Sequence, residues 1–441
     1  MFWPAGRNFI SLLLLAFAAQ AAAAPIALTT IGAKDRQAIV DEVIGALDDA
    51  YVFPETAHKM GERLRQQLGS GAYDRLTTLP ALAAQLTEDL RGVSHDPHLE
   101  VTWAPAEGQR PSPEELQARM AAHLRRENYW FREVKLLPGN VGYLKLDGFA
   151  PADLAGSTAV AAMGFLAGSE ALIVDLREND GGSASMVQLL LSYLLPGKPT
   201  HFSSFYVRKG DRTDQLWTQA WVPGPRLTGT PVYVLTGPHT FSAAEGFAYS
   251  LKSLKRATIV GEATRGGAHP VDRVPIQGYP LVVSLPFGRS VNPVTGSNWE
   301  GTGVAPDVAV PAAEALAVAH SRALATIAEK ATDPEVKATA ALLHQVLEGR
   351  RNPVTLPAGD LAAFVGAYGP VQVTLEGGAL HYQLGTGPRT RLLPIGNDKF
   401  LAADSDDLLL RFERDASGKV VRVIGVSRDG ELPIERSGGG Q

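Results

Sequence analysis

Ser242 lies in the segment Thr236-Gly-Pro-His-Thr-Phe-Ser-Ala-Ala-Glu-Gly, between an apolar strand-like run and a helical pattern. A serine in this place would begin a helix, where exposed N–H groups and the positive end of the helix dipole can stabilise an oxyanion beside the hydroxyl. Serines that only cap helices favour the same place. The segment therefore predicts either a nucleophile or an N-cap.

A nucleophilic serine needs a base, and the base can come from a distant part of the chain. His95 and His98 lie in Ser94-His-Asp-Pro-His-Leu-Glu, where a helical region gives way to strands, and His269 lies in a loop after a strand. Two histidines three residues apart also fit a zinc site, but the sequence nearby supplies no third ligand. The histidines alone leave a base and surface positions both open.

Two turn-rich segments carry further candidates. Asp175-Leu-Arg-Glu-Asn-Asp-Gly-Gly-Ser begins at a predicted strand end, and its glycines would let backbone amides approach a substrate closely. Nucleotide-binding glycine spacings are missing from it, and Arg177 is predicted to order this loop by pairing with a carboxylate. Glu300 follows Trp299 in a second turn, so it is either a partly desolvated carboxylate that orients an imidazole or an exposed one.

The elements around these residues predict an α/β protein of several parts. Apolar residues recur at helical spacing over 35–90, and continuous apolar runs at Ala171 and Pro231 are typical of buried parallel strands, with helical patterns at Ser185–Leu195 and Ala243–Leu254. We predict a signal peptide (1–24), an N-terminal helical domain (25–104), a linker (105–130), an α/β core (131–312), a helical connector (313–352) and a small antiparallel β domain (353–441).

Composition narrows the classes of function. The 441 residues carry a net charge of −5, so no basic excess favours nucleic acid as a partner. The sequence contains no cysteine, which excludes cysteine catalysis and Cys-ligated zinc. Arg7, an apolar stretch and a run of alanines before Pro25 predict a cleaved signal peptide and therefore a periplasmic or secreted protein, with an uncleaved anchor as the alternative.

Five segments together resemble the tail-specific (C-terminal-processing) serine peptidase family, in its branch with the tricorn core and the interphotoreceptor retinoid-binding protein. They appear in family order between Asp35 and Val310. They are Asp96-Pro-His98, Asp175-Leu-Arg-x-Asn-x-Gly-Gly182, Thr240-Phe-Ser242-Ala-Ala-Glu245, Gly261-Glu-x-Thr-x-Gly-Gly-Ala-His269 and Asn298-Trp-Glu-Gly-x-Gly-Val-x-Pro-Asp307.

The resemblance implies a crotonase-like ββα-spiral core and a serine peptidase that acts on polypeptides without a metal or cofactor. Ser242 would attack the scissile carbonyl, His98 would be the general base, and Glu300 would orient it. The amide of Ala243 and one from Gly181 or Gly182 would form the oxyanion hole. His95 and His269 are second choices for the base, and Arg177 is a secondary site candidate.

Two positions depart from relatives in this family. Relatives with a lysine base carry it where this chain has Gly267, which disfavours a Ser–Lys dyad here. Tricorn-type sites place a serine directly before the histidine, where this chain has Pro97; the pair Ser94-His95 would restore it but breaks the Asp-x-His match. These departures leave His98 as the first choice and His95 as the second.

Substrate capture and a rival function follow from the same resemblance. No segment resembles the PDZ module with which many relatives bind peptides, so we expect the helical domain and the core cleft to bind the substrate. A peptide could also add to Ser203–Val207 if that run exposes a strand edge. The retinoid-binding relative shows that this fold also serves as a carrier, so the alternative function is a non-catalytic carrier of apolar ligands or peptides. An esterase is disfavoured because Gly-x-Ser-x-Gly is missing around Ser242.

Overall fold

The computed structural model describes residues 30–103 and 112–437, which form two compact units. Of these described residues, unit 1 contains those up to Val134 together with Leu144–Gly168 and Val174–Ala313. Unit 2 contains Lys135–Tyr143, Ser169–Ile173 and the described residues from Glu314 onward. The predicted signal peptide (1–24) lies outside the described residues.

The helices and strands confirm a mixed α/β chain. Up to Ala309 they are α1 (Ala33–Ala50), α2 (Pro54–Gly69), α3 (Leu79–Ser94), β1 (Glu100–Trp103), α4 (Pro113–Arg126), β2 (Phe131–Leu137), β3 (Val141–Leu146), α5 (Ala152–Leu166), β4 (Ala171–Asp175), α6 (Ala184–Leu194), β5 (His201–Val207), β6 (Arg212–Trp217), β7 (Val232–Thr236), α7 (Ala243–Ser253), β8 (Ala257–Gly261), β9 (Val271–Pro275), β10 (Leu281–Pro286), β11 (Gly288–Val291) and β12 (Val308–Ala309). After them come α8 (Ala315–Lys330), α9 (Pro334–Arg351), α10 (Ala358–Leu361), β13 (Gly366–Tyr368), β14 (Val371–Glu376), β15 (Ala379–Leu384), β16 (Arg389–Gly396), β17 (Lys399–Ala402), β18 (Leu409–Arg414), β19 (Val420–Ser427) and β20 (Gly430–Glu435). Helix α4 falls within the stretch predicted as a linker.

The central sheet carries the loops of the candidate site. Its strand order is β12-β8-β7-β4-β3-β2, and β8 pairs in parallel with both β7 and β12. All residues of β4 and β7 are buried, which explains why both segments are continuous apolar runs in the sequence. The Asp175 and Ser242 loops follow the ends of these neighbouring strands, where ligands of α/β sheets commonly bind.

The N-terminal helices share their core with strands from far along the chain. Helices α1–α3 bury Ile39, Leu47 and Leu86 in one apolar cluster with Val101 of β1 and Val283 of β10. The sheet of order β1-β10-β9 pairs Val101 with Val283. The helical periodicity predicted the helices, but the strand partners come from residues assigned to the α/β core.

A third sheet of unit 1 corrects one expectation about substrate binding. Its order is β11-β5-β6, so β5, which contains the Ser203–Val207 run, is paired on both sides. A peptide therefore cannot add a strand to β5. The edge strands are β11 and β6, and the alternating exposure of β6 is typical of a strand with one solvated face.

Unit 2 contains the helices α8 and α9 and an eight-stranded antiparallel sheet that runs in sequence order from β13 to β20. A bridge between Tyr368 and Arg436 brings the two ends of this sheet together. The interior is filled by apolar side chains, among them Phe364, Phe400 and Phe412. The prediction of a small antiparallel β domain is thus confirmed.

Within residues 30–103 and 112–437, no helix combines the length and the apolar character needed to cross a bilayer.

Candidate active site

Ser242 occupies a strained position at the start of α7. Its backbone has φ 53° and ψ −114°, a conformation that costs a non-glycine residue about 1–3 kcal/mol and usually persists where it serves a purpose. Ser242 also stands at the start of a capping box, in which the Glu245 carboxylate accepts the Ser242 N–H. Its place at the helix start therefore fits both roles that the sequence left open.

A buried glutamate holds the nucleophile loop in this conformation. Glu245 is fully buried, and its carboxylate accepts hydrogen bonds from the Ser242 N–H (2.8 Å), the Thr264 hydroxyl (2.5 Å) and the N–H groups of Gly266 (2.7 Å) and Gly267 (2.9 Å). Burial raises the pKa of Glu245, while the hydrogen bonds from Thr264 and the backbone oppose that rise. The Glu245 side chain thus connects the turn at Ser242 to the loop over 264–267 through hydrogen bonds.

Two backbone amides beside Ser242 can stabilise an oxyanion. Ala243 is the first residue of α7, so its N–H has no acceptor within the helix. Phe149 donates to the carbonyl of Gly181 and accepts from the N–H of Ser183, so in this parallel bridge the N–H of Gly182 is directed to the opposite side. Of the two candidate glycines, Gly181 donates to the Asn179 side chain (2.9 Å), which leaves Gly182 as the better donor.

Glycine is required at these positions because the chains approach closely. A Cβ on Gly182 would overlap the backbone of Phe149, and a Cβ on Gly181 would lie 2.9 Å from the Cβ of Ser242. Both glycines also have positive φ, of 103° and 135° for Gly181 and Gly182. The Gly-Gly pair therefore lets the loop after β4 lie against the nucleophile.

Ser242 opens into a cavity of about 440 Å³, within the range typical of ligand sites. Its wall includes Ser242, Gly182 and Ala243 together with two histidines, His98 and His269, so these residues share a single space. The rest of the lining is mainly apolar, with side chains that include Val187, Phe202, Phe205, Leu216, Phe241 and Trp299.

His98 is one of the two histidines of this cavity, and its ring lacks hydrogen bonds within the described part of the chain. Both ring nitrogens are buried without a partner, and the side chain is 9% exposed. The ring packs on Phe241 with a centroid separation of 4.6 Å. A buried imidazole without partners costs stability, which marks it as a group kept for another purpose.

Asp96 lies between two histidines. Its Oδ1 accepts the backbone N–H of His98 (3.0 Å) and lies 3.6 Å from that residue's Nδ1, while its Oδ2 accepts a hydrogen bond from Nδ1 of His269 (2.6 Å). Burial raises the pKa of Asp96, but the hydrogen bonds from His269 and His98 outweigh it and hold the pKa well below its ordinary value. The carboxylate nearest to the His98 imidazole is therefore that of Asp96.

Glu300, the carboxylate that the resemblance assigned to His98, contacts His269 instead. Its Oε2 accepts the N–H of Ala268 (2.5 Å) and lies 3.5 Å from Nδ1 of His269, while its Oε1 is buried without a partner among the described residues. Burial and the charge of Asp96 raise the pKa of Glu300. The turn after Trp299 brings Glu300 to the cluster, but His269 stands closest to it.

Two other candidates, His95 and Arg177, are not among the residues that line the cavity. His95 ends α3 in a left-handed conformation (φ 55°) and is exposed, so its ring is not directed at Ser242. Arg177 forms a two-point ion pair with Asp175 (2.9 and 2.6 Å) and donates to the carbonyl of Ala312 (2.7 Å), which orders the loop after β4.

The space around Gly267, in the loop after the nucleophile helix, has no room for a lysine side chain. A Cβ on Gly267 would overlap the ring of Phe241 and lie 2.5 Å from Cε1 of His98. A longer side chain there would displace the imidazole. The position therefore suits a histidine base and excludes a lysine at the same place.

Sequence reasoning gave no role to Asp96 or Glu245, although both lie in the segments that carry the resemblance. Asp96 precedes His98 by two residues, and Ser242-x-x-Glu245 has the spacing of a helix capping box. Either spacing could have indicated a carboxylate that supports the site. The contact of Asp96 with His269, 173 residues away, had no such local signal.

Two family models match the chain. Residues 140–310 match the model of peptidase family S41, and residues 20–131 match the model described as the N-terminal domain of that peptidase in eukaryotic IRBP. The first match contains Ser242, Glu245 and Glu300, and the second contains Asp96 and His98.

Several solved structures resemble the chain at low identity. A lipoprotein from Streptococcus agalactiae is 16% identical, with 66% of this chain and 97% of that chain covered and a TM-score of 0.46. The photosystem II D1 C-terminal processing protease is 17% identical, with 63% and 93% covered and a TM-score of 0.41. The tricorn protease is 14% identical, with 71% and 37% covered and a TM-score of 0.40. Because these TM-scores are low, the assignment of the chain to a family depends on the two family models.

Proposed function

This chain is a serine-type peptidase of family S41, and on that premise we propose that it is a tail-specific endopeptidase that cleaves exported or unfolded polypeptides through an acyl-enzyme on Ser242. One observation carries the proposal. The Ser242 hydroxyl, the unpartnered imidazole of His98 and the amides of Ala243 and Gly182 line one cavity. An acyl-transfer enzyme needs all of these groups, whereas a carrier of apolar ligands needs none of them.

In the proposed reaction His98 takes the proton of Ser242 as the hydroxyl attacks the scissile carbonyl. The N–H groups of Ala243 and Gly182 stabilise the resulting oxyanion, and the protonated His98 then gives its proton to the leaving amine. Water hydrolyses the acyl-enzyme by the same route, with His98 again as the base.

Asp96 takes the place of the orienting carboxylate in this proposal. Its Oδ1 lies 3.6 Å from Nδ1 of His98, longer than a hydrogen bond, and catalytic contacts often shorten only when a substrate is bound. His269 would act on the base through Asp96, to which it donates a hydrogen bond, and Glu300 would act through His269, whose Nδ1 lies 3.5 Å from its carboxylate. They are positioning residues here, and His98 and Ser242 are the catalytic pair.

The cavity and the edge of β6 indicate how a polypeptide binds. Arg212, Asp214 and Leu216 of β6 line the same cavity as Ser242, and β6 has no second strand partner among the described residues. We propose that an extended substrate adds to β6 and places an apolar side chain in the cavity. N-methylation of substrate backbone amides one at a time should raise KM at alternate positions, and uniform tolerance of methylation would exclude this binding mode.

The central test is the Ser242→Ala variant on an unfolded casein-like substrate. We expect kcat/KM to fall by about 10⁴-fold or more, with unchanged thermal unfolding, because the hydroxyl is the nucleophile. A serine-reactive fluorophosphonate should label the wild type at Ser242 and leave the variant unlabelled. Ser70→Ala is the matched control, since Ser70 is exposed and bonds only to the carbonyl of Gln67.

Hydrolysis at the wild-type rate by Ser242→Ala would end the assignment of the nucleophile. If instead the wild type binds apolar ligands in the cavity and neither cleaves peptides nor reacts with the fluorophosphonate, the carrier function is the correct one.

The exported location is a separate part of the proposal, supported by the predicted signal peptide. Fractionation of the native host and N-terminal sequencing should find a mature protein outside the cytoplasm that begins within a few residues of Pro25. Recovery of the unprocessed chain in the cytoplasm would contradict it.

A further inference from the structure

Three side chains around the Asp96 carboxylate form a candidate metal-binding group. Asp96, His269 and Glu300 each direct one ligand atom into a space where these atoms lie within 4.8 Å of one another. Asp96 and His269 are buried at 1% and 5% exposure. These are not surface acids, and one of the three ligands is an imidazole, which zinc favours.

The distances suit zinc after a small movement. Tetrahedral zinc with ligands at about 2.0–2.2 Å separates its ligand atoms by about 3.3–3.6 Å. Nδ1 of His269 and Oε2 of Glu300 are already 3.5 Å apart. Nδ1 of His269 and Oδ2 of Asp96 are 2.6 Å apart because a proton joins them, so this pair must open by less than about 1 Å when zinc replaces the proton.

Two groups at the cluster lack partners that a metal would supply. Oε1 of Glu300 is buried with no hydrogen bond among the described residues, and so are both nitrogens of His98, whose side chain is 9% exposed. Nδ1 of His98 lies 3.6 Å from the other oxygen of Asp96. The cluster therefore offers three ligands in place.

A second cavity gives access to the cluster. It has a volume of about 390 Å³, and its wall includes Asp96, His269 and Glu300 together with Ser94 and Asn298. An ion and its water ligands can enter there without passing Ser242. The side chain of Glu300 is 17% exposed, which leaves its carboxylate accessible from this side.

We propose that Asp96, His269 and Glu300 form a zinc site that inhibits the peptidase. Zinc takes the place of the proton on Nδ1 of His269, and the neutral imidazole then carries its proton on Nε2. Asp96 is drawn toward the ion and away from His98. This change removes the carboxylate that orients the base beside Ser242. Only the inhibition depends on the proposed peptidase function, and the binding itself does not.

The binding test uses the tag-free Ser242→Ala chain, because it cannot digest itself and its zinc content does not depend on activity. Equilibrium dialysis with zinc alone should find one ion per chain, released by a chelator, and zinc should raise the temperature of unfolding. Glu300→Gln and His269→Asn should each weaken binding by at least about tenfold.

Controls separate this site from adventitious binding. His58 and Glu62 form an exposed pair on α2 (3.3 Å), and His58→Asn should leave the zinc affinity unchanged. Magnesium and calcium should not compete, because they prefer sites made of oxygen ligands alone. Unchanged zinc affinity in both Glu300→Gln and His269→Asn, or no bound zinc at all, would overturn the site.

Inhibition is measured in the wild type. Zinc should reduce kcat with the affinity measured by dialysis, and chelation should restore it. If Ser242→Ala binds one ion through Glu300 but zinc leaves wild-type turnover unchanged, the site exists and its inhibitory role is wrong. A wild type that cleaves no substrate would contradict the peptidase proposal and leave the dialysis result standing.

Discussion

The cluster around Asp96 in unit 1 and the aromatic core of unit 2 bury their side chains in contrasting ways. Around Asp96 the buried groups are polar, and both nitrogens of His98 and one oxygen of Glu300 lack hydrogen bonds among the described residues. In unit 2 the ring of Phe412 lies 5.0 Å from Phe364, 5.5 Å from Phe400 and 5.6 Å from Tyr368, in the tilted and edge-on geometries that aromatic rings prefer.

This difference separates residues kept for chemistry from residues kept for stability. Each buried polar atom without a partner costs about 1–3 kcal/mol, so the Asp96 cluster lowers the stability of unit 1. The aromatic rings of unit 2 carry no such cost and fill their interior. Substitutions in the first region should therefore change activity more than stability, and substitutions in the second should do the reverse.

The largest effect is expected for His98→Ala. Loss of the base should lower kcat by about 10⁴-fold or more. The free energy of unfolding should change little, because the lost packing on Phe241 is offset by removal of a buried imidazole without partners. Peptidase assays and denaturant titration measure the two effects, with the exposed His58→Ala as control. A fall in stability without a fall in kcat would contradict the comparison, because His98 would then behave like a residue of the aromatic core in unit 2.

Asp96→Asn should follow, with kcat lower by about 10²–10⁴-fold, since the amide can no longer hold both imidazoles in their orientations. The effect on KM should be small, because Asp96 is not among the residues that line the cavity of Ser242. Steady-state kinetics separates the two constants. If Glu300→Gln lowered kcat more than Asp96→Asn does, Glu300 would be the orienting carboxylate after all.

In unit 2, Phe412→Ala should destabilise the antiparallel sheet by about 3–5 kcal/mol, because it leaves a cavity among three other rings. Denaturant titration of the full chain, followed by near-ultraviolet circular dichroism, measures the change. Leu432→Ala is the control on the same sheet, since Leu432 is 64% exposed. Equal stability of the two variants would mean that the aromatic core is loosely packed.

The smallest effect is expected for Glu300→Gln, in the way that the stability of the fold depends on pH. Because the pKa of Glu300 is raised in the folded state, the folded chain binds more protons than the unfolded chain between the ordinary value of 4.5 and the raised value. This residue's contribution to stability therefore falls as the pH rises through that window. The Glu300→Gln variant should lose this pH dependence of stability. At pH values above the window it should be more stable than the wild type.

Thermal unfolding of both proteins at a series of pH values from acid to mildly alkaline tests this expectation. Asp96 has the opposite sign, since its pKa is lowered and its stabilising contribution is lost only as the pH falls below the ordinary value of 3.8. The stability difference between Glu300→Gln and the wild type could instead grow toward acid pH. That result would show that ionisation of Glu300 does not destabilise the folded state.

Much of the site was predictable because its signals are local. The apolar run before Thr236 and the periodicity after Ala243 placed Ser242 between a strand and a helix, and the structure has β7 and α7 there. Asp96 was not assigned a role because an aspartate two residues before a histidine has many common explanations. The free edge at β6 was not predictable either, since strand order depends on pairings with β11 from a distant segment.

The sequence by itself determined the α/β architecture, the helix that begins after Ser242, the glycines that let two loops meet, and the membership of the family. Periodicity, turn residues and close-packed glycines are properties of short stretches, so they can be read without coordinates. Only the tertiary structure decided which carboxylate faces which histidine. Asp96 and His269 are 173 residues apart, and their contact exists because β9 and β10 pack beneath the N-terminal helices, an arrangement that no local pattern specifies.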